Sequence, residues 1–154
     1  MNKFLYSIFL LCVLVFLSFF FLKNIAYAPE NDTPRFLFEN GKEILIEYAD
    51  TQEKHIHGLS GRESLPENSG LLFLFEREEY YGFWMKDMNF AIDIIWIGKD
   101  SRIKDITKNI SPETYPRVFK PQDPILYVLE VNAGFAERYK IQKGMKVNIN
   151  KTSY

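Results

Sequence analysis

Cysteine is nearly absent from this sequence: there is one in 154 residues, Cys12, and it falls inside an apolar run near the amino terminus. The rest of the chain therefore has no thiol for a disulfide, a nucleophile or a cysteine-based zinc site. A basic surplus is also missing. Lys and Arg number 19 against 20 Asp and Glu, and beyond residue 23, where Lys3 and Lys23 drop out, 17 face 20, a net −3. Such a balance leaves no electrostatic footprint for nucleic acid. Glycine is too sparse to cradle a phosphate, since Gly58 and Gly61 bracket only a short loop. No serine sits in a glycine-rich elbow between strand and helix, so a nucleophilic triad has no support. The two histidines, His55 and His57, lie two residues apart. On a helix that spacing turns them about 200° from each other, which does not chelate a metal. Neither a metal nor another cofactor is expected.

What is present begins with Phe4 to Leu22, 19 residues without a charge between Lys3 and Lys23, holding six of the 14 phenylalanines. At about 1.5 Å per residue the run reaches roughly 28 Å as a helix, close to the hydrocarbon thickness of a bilayer. It exceeds a signal-peptide core of roughly 7–15 residues. Ala26-Tyr27-Ala28 has the form of a cleavage site, but Pro29 would follow the scissile bond. Residues 1–23 are therefore read as an uncleaved single-pass anchor in the cytoplasmic membrane. The alternative is a cleaved signal that releases a secreted or periplasmic protein. The leading positive charges place the domain on the extracytoplasmic side.

Residues 24–34, with two prolines, read as a linker, and residues 35–150 as one domain. Glu43 to Ala49 alternates in the manner of a half-buried strand. Asp50, with Glu53 three residues on, has the capping-box pattern of a short helix ending near Gly58 to Gly61. Leu71 to Phe75 and Ala91 to Ile97 are apolar runs too short for helices, which reads as strands buried on both faces, the first closed by a charged turn at Glu76 to Glu79. Arg102 to Lys108, Tyr127 to Val131 and Met145 to Ile149 read as further strands. Ser111 to Pro124 is a long proline-rich connection, and Ala133 to Tyr139 a helical turn or two. The fold class is mainly β, a sandwich or barrel with one or two short helices, preceded by one transmembrane helix.

One group of residues also matches a known pattern. In order stand His57-Gly58-Leu59-x-x-Arg62, Ser69-Gly70-Leu71-Leu72-Phe73-x-Phe75, Phe83-Trp84-Met85-Lys86, Ile92-Asp93-Ile94, Val128-Leu129-Glu130-x-x-x-Gly134, and Gly144. This set resembles the domain of unknown function 192 family over about residues 36 to 149. The resemblance implies a jelly-roll-like β sandwich, often behind an N-terminal signal or anchor, with no established activity. Asp87 and Met88 stand where the family usually carries a small hydroxyl residue.

The charged positions within those motifs are Arg62, Lys86, Asp93 and Glu130. Asp93 shares a strand face with Ile95 and Ile97, and Glu130 shares one with Val128, so each carboxylate needs a partner or an opening to water. A guanidinium at Arg62 suits that need through two parallel hydrogen bonds. In the structural reading Arg62 and Lys86 tie down loops, and removing Arg62 costs on the order of 3 kcal/mol by leaving a buried charge unpaired. In the functional reading Arg62, Trp84, Lys86, Asp93 and Glu130 line a pocket for a small polar or anionic ligand, walled by Trp84, Met85 and Trp96. Three functions follow. One is a membrane-tethered binding module, and the second is an envelope protein-interaction or assembly module with a purely structural charged cluster. The third is a hydrolase with Asp93 and Glu130 as an acid/base pair, which requires both in one cleft at roughly 5–9.5 Å.

Overall fold

The computed structural model describes residues 33–149. The anchor expected over residues 4–22, its cleavage site and Cys12 lie outside them. Among the described residues no helix is long and apolar enough to cross a membrane. Seven strands form one mixed sheet: β1 Arg35–Phe38, β2 Glu43–Ala49, β3 Ser69–Glu79, β4 Ile92–Ile97, β5 Ile103–Ile110, β6 Ile125–Asn132 and β7 Val147–Ile149. Among the described residues two short helices accompany them, α1 Gln52–His57 and α2 Phe135–Arg138, with one 3-10 turn at Pro112–Thr114. The order across the sheet is β5-β4-β6-β3-β2-β1-β7.

The sheet curls into a half-barrel rather than splitting into the two stacked layers of a jelly roll. Its two edges meet at one end, where Arg102 bridges Lys146. There Ile103 N–H donates to the Met145 carbonyl at 3.0 Å and Val147 N–H to the Ser101 carbonyl at 2.9 Å. Such closure shortens the exposed edge that would otherwise template pairing with another chain.

Both faces of the sheet are buried, which is why β3, β4 and β6 read as continuous apolar runs. Phe36, Phe38, Ile44, Ile46, Leu72, Ile95, Ile97, Leu129 and Val131 pack on the inner face with Phe135 and Ala136 of α2. Leu71, Phe73, Ile92, Ile94, Trp96 and Val128 pack on the outer face under loop residues Leu59, Leu65, Met85 and Phe119. Each such side chain contributes about 1.5–3 kcal/mol by leaving water. Trp96 is fully buried because its indole N–H reaches Thr107 Oγ1 at 2.9 Å.

Three connections roof the outer face. β2 and β3 run parallel, so the chain must cross over between them, and residues 50–68 carry α1, Leu59 and Leu65 across that face. The cap of α1 is Thr51, whose side chain accepts from Lys54 N–H. Asp50, the residue the sequence pattern favours, is engaged by Lys54 Nζ at 2.7 Å instead. The β3–β4 connection lies beside α1. Its Phe83 pairs with Phe119 of the proline-rich connection through backbone bonds of 2.9 and 2.8 Å. β3 itself runs through Glu76 to Glu79, where a turn was expected. A register irregularity between Leu74 and Glu79 lets the strand continue with those charges turned outward.

Candidate functional site

Glu130 lies on the outer face of β6, between Leu71 of β3 and Ile94 of β4 in the strand register. It is 5% exposed, and Oε2 has no hydrogen-bond partner among the described residues. An orphaned carboxylate oxygen is costly in the ionised form. Burial accordingly pushes the Glu130 carboxyl up to about 8, with the positive charge of nearby Arg62 offsetting part of that rise. At neutral pH the group is mostly protonated.

Above Glu130 a cleft of about 250 Å³ opens between α1 and the β3–β4 connection. Its floor is Phe73, Phe75 and Glu130, one side is His55 to Ser60, and the other is Tyr81 to Trp84. The sequence places these groups by simple parity. Phe73, Phe75 and Glu130 sit on outward positions of β3 and β6, while the left-handed Gly58 (φ 53°) turns the chain immediately above the carboxylate. A Cβ at Gly58 would lie 3.4 Å from Phe73 and 3.8 Å from Glu130 Oε2. The aromatic wall is ordered by ring contacts: Phe75 stacks on Tyr81 at 3.7 Å, and Phe83 meets Phe73 edge-on at 4.8 Å. His55 lies 4.6 Å from the Phe75 ring, with Nε2 held 2.9 Å from the Ala49 carbonyl, so that nitrogen carries the proton.

Arg62 does not meet either buried carboxylate by hydrogen bonding. It grips Glu47 of β2 with two bonds, 2.8 and 2.9 Å. That grip lowers the Glu47 carboxyl and raises the Arg62 guanidinium. Because the Glu47 side chain is 60% exposed, loss of Arg62 does not strand a buried charge on Glu47, and the cost of about 3 kcal/mol expected for a structural Arg62 is not supported.

Asp93 is fully buried on the inner face, the opposite side of the sheet from Glu130. Its carboxylate accepts from three backbone N–H groups: Asn109 at 2.8 Å, Gly134 at 3.2 Å and Ala136 at 2.9 Å. It clamps β5 and the start of α2 to β4. The sheet therefore separates the two carboxylates that an acid/base pair would need in a single cleft. Met85 and Trp96 are core residues, 2% and 0% exposed, and do not line the cleft.

Trp84 does line it and is half-exposed at 50%. Trp84 also lines a second depression, which contains Lys86 and Asp87. Lys86-Asp87-Met88-Asn89 form a turn docked against the loop that follows α1. Gly61 N–H donates to the Asp87 carbonyl at 2.8 Å, Ser60 Oγ–H to the Lys86 carbonyl at 2.8 Å, and Asn89 Nδ2–H to the Arg62 carbonyl at 2.8 Å. Thus Glu130 and Trp84 share the cleft, Arg62 stands beside it, Lys86 lies next door, and Asp93 is elsewhere. The sequence does not nominate the cleft residues His55, Phe75, Tyr81 and Phe83 as ligand-binding, although Phe75 and Phe83 stand in the family motifs. Their signal was there in the six aromatics between residues 73 and 84. Among the described residues no cluster of His, Cys, Asp and Glu is arranged to hold a metal ion.

Comparison with known proteins agrees with the motif order. The sequence model of the DUF192 family, described as uncharacterized ACR, matches residues 36–149. No curated protein matches. Among solved structures, a protein of unknown function from Novosphingobium aromaticivorans DSM 12444 is 30% identical with a TM-score of 0.69. That alignment covers 78% of this chain and 89% of the other. A protein of Sinorhizobium meliloti 1021 described as a candidate transcription regulator is 26% identical, also with a TM-score of 0.69, over 75% of this chain and 91% of its own.

Proposed function

The chain belongs to the DUF192 family, and from that premise we propose that it is a membrane-tethered binding module which holds a small polar ligand over Glu130. The anchor is residues 4–22, and the domain faces the extracytoplasmic side. The observation that carries the ligand reading is that Glu130, a buried carboxyl whose solvent-inaccessible Oε2 has no partner among the described residues, lines an open aromatic cleft. A carboxyl that served only packing would be replaced at lower cost by an apolar side chain, or satisfied by a neighbour. The volume, about 250 Å³, lies below the roughly 300–1,000 Å³ of drug-sized sites, so the ligand is small. Among the described residues no Lys or Arg lines this cleft, which favours a polar over an anionic ligand.

A thermal-shift screen of the full-length chain with sugars, nucleotides, carboxylates and amines tests this reading, since a ligand of the folded state raises the melting temperature. Hits lost in Glu130→Gln support it, and a blank across all four classes overturns it. Protease digestion of intact cells tests the placement: an accessible domain agrees, a protected one does not.

One observation favours a second reading. Ile56 and Trp84 are 68% and 50% exposed at the mouth of the cleft, a small apolar rim suited to an envelope protein. Partner capture that survives Glu130→Gln but not Trp84→Ala would select it. The net −3 beyond residue 23 gives no support for carrying over the regulator description of the Sinorhizobium protein to this chain.

A further inference from the structure

We infer that the ligand of this cleft is an organic amine, its ammonium group set against Glu130 and its apolar stem laid among Phe75, Phe83 and Trp84. The inference rests on the reading of the cleft as a ligand site and names the chemistry it selects. Three observations converge on it. Once ionised, Glu130 needs a donor, since Oε2 of this nine-tenths-buried side chain is closed off from water and accepts from none of the described residues. The one guanidinium close by, Arg62, is spent on Glu47 through both of its outer nitrogens and makes no bond to Glu130. The walls are aromatic rings, whose faces attract a cation and pack against its stem. A carboxylate or phosphate entering the same space would meet a carboxyl and, among the described residues, no Lys or Arg.

Binding has a proton balance. The free site holds Glu130 protonated at neutral pH. An arriving ammonium keeps its own proton and stabilises the carboxylate, so the Glu130 proton leaves to solvent. Below about pH 8 affinity therefore rises about tenfold per pH step, then levels off. The other titratable or charged groups facing Glu130 are few. His55 and His57 come from α1, Tyr81 from the β3–β4 connection, and Arg62 with Glu47 from the side. Tyr81 donates its hydroxyl to the Arg77 carbonyl at 2.9 Å, and His55 is bonded to Ala49.

Isothermal titration of the full-length chain with propyl-, benzyl- and phenethylammonium, each beside its matched alcohol and carboxylate, reads this out. At about pH 8 the best amine is expected to bind at least about tenfold more tightly than its alcohol. At about pH 6.5 it is expected to release close to one proton, seen as a dependence of heat on buffer ionisation. In Glu130→Gln the amine preference and the proton release should vanish while the alcohol binds as before, which shows that the cleft is still folded. An alcohol that binds as well as its amine, or a carboxylate that binds better, overturns the inference and leaves the cleft as a ligand site. Failure of every probe overturns the inference, and the reading of the cleft as a ligand site falls with it only when the sugar and nucleotide screen is blank as well.

Discussion

Replacing Glu130 by Gln should stabilise the protein, and more so as the pH rises. The carboxyl lies at about 8 in the folded chain against an ordinary 4.5, so between those values the folded state holds a proton that the unfolded state has lost. A group raised in this way gives full stability below the unfolded value and loses it as pH climbs through the folded one. Between pH 5 and pH 9 the loss integrates to about 4 kcal/mol, an upper bound because water drawn into the cleft would solvate the ion. The Glu47 and Asp100 carboxyls, lowered by the hydrogen bonds from Arg62 and Lys104 respectively, act the other way. Their contribution is complete by about pH 5 and forms a flat background above it. Urea unfolding at pH 5, 7 and 9 measures the difference. The wild type should lose stability steadily, and Glu130→Gln should be nearly flat, equal to it at pH 5 and more stable by up to about 4 kcal/mol at pH 9. Parallel curves for the two proteins would refute the burial of an unpaired carboxyl.

Asp93→Ala removes the acceptor of three backbone N–H groups and should cost about 3–5 kcal/mol, with faster hydrogen exchange at Ala136. Gly70→Ala would place a Cβ 2.8 Å from Leu129 and 3.0 Å from the Glu130 carbonyl, and urea unfolding should show a loss of about 1–3 kcal/mol. Arg62→Ala breaks an ion pair whose side chains are 33% and 60% exposed, so it should cost no more than about 1 kcal/mol. The same change removes the positive charge that holds Glu130 down, and the Glu130 midpoint should move above 8 in a carboxyl-resolved titration.

The parts legible in sequence were those with local periodicity. β2 spans Glu43–Ala49 as read because one side of it is exposed and the alternation is clean. The parity of Asp93 with Ile95 and of Glu130 with Val128 was also correct, since side chains alternate strictly along a strand. The parts decided by distant neighbours were not legible. β1 is four residues long and is held by β2 and β7 on either side, too little for a pattern. The parallel β2–β3 pairing has no local signature, yet it is what lays α1 and Arg62 across the outer face. Asp93 was read as needing a charged or solvent partner, but its partners are main-chain N–H groups, which every residue carries and no pattern marks. Arg62 found an exposed glutamate that sits on an outward position of β2 and drew no attention there. The cleft is half visible in sequence: Trp84 and Glu130 stand out as candidates, while Phe73 and Phe75 read only as part of a buried strand and nothing local marks Tyr81.

The most direct measurement is a 13C titration of the Glu130 carboxyl in the full-length chain, run free and then saturated with an alkylammonium probe. A midpoint near 8 that falls by several pH steps on saturation is the expected result. A free midpoint in the ordinary carboxylate range, unmoved by any amine, would contradict a vacant acceptor at the floor of the cleft.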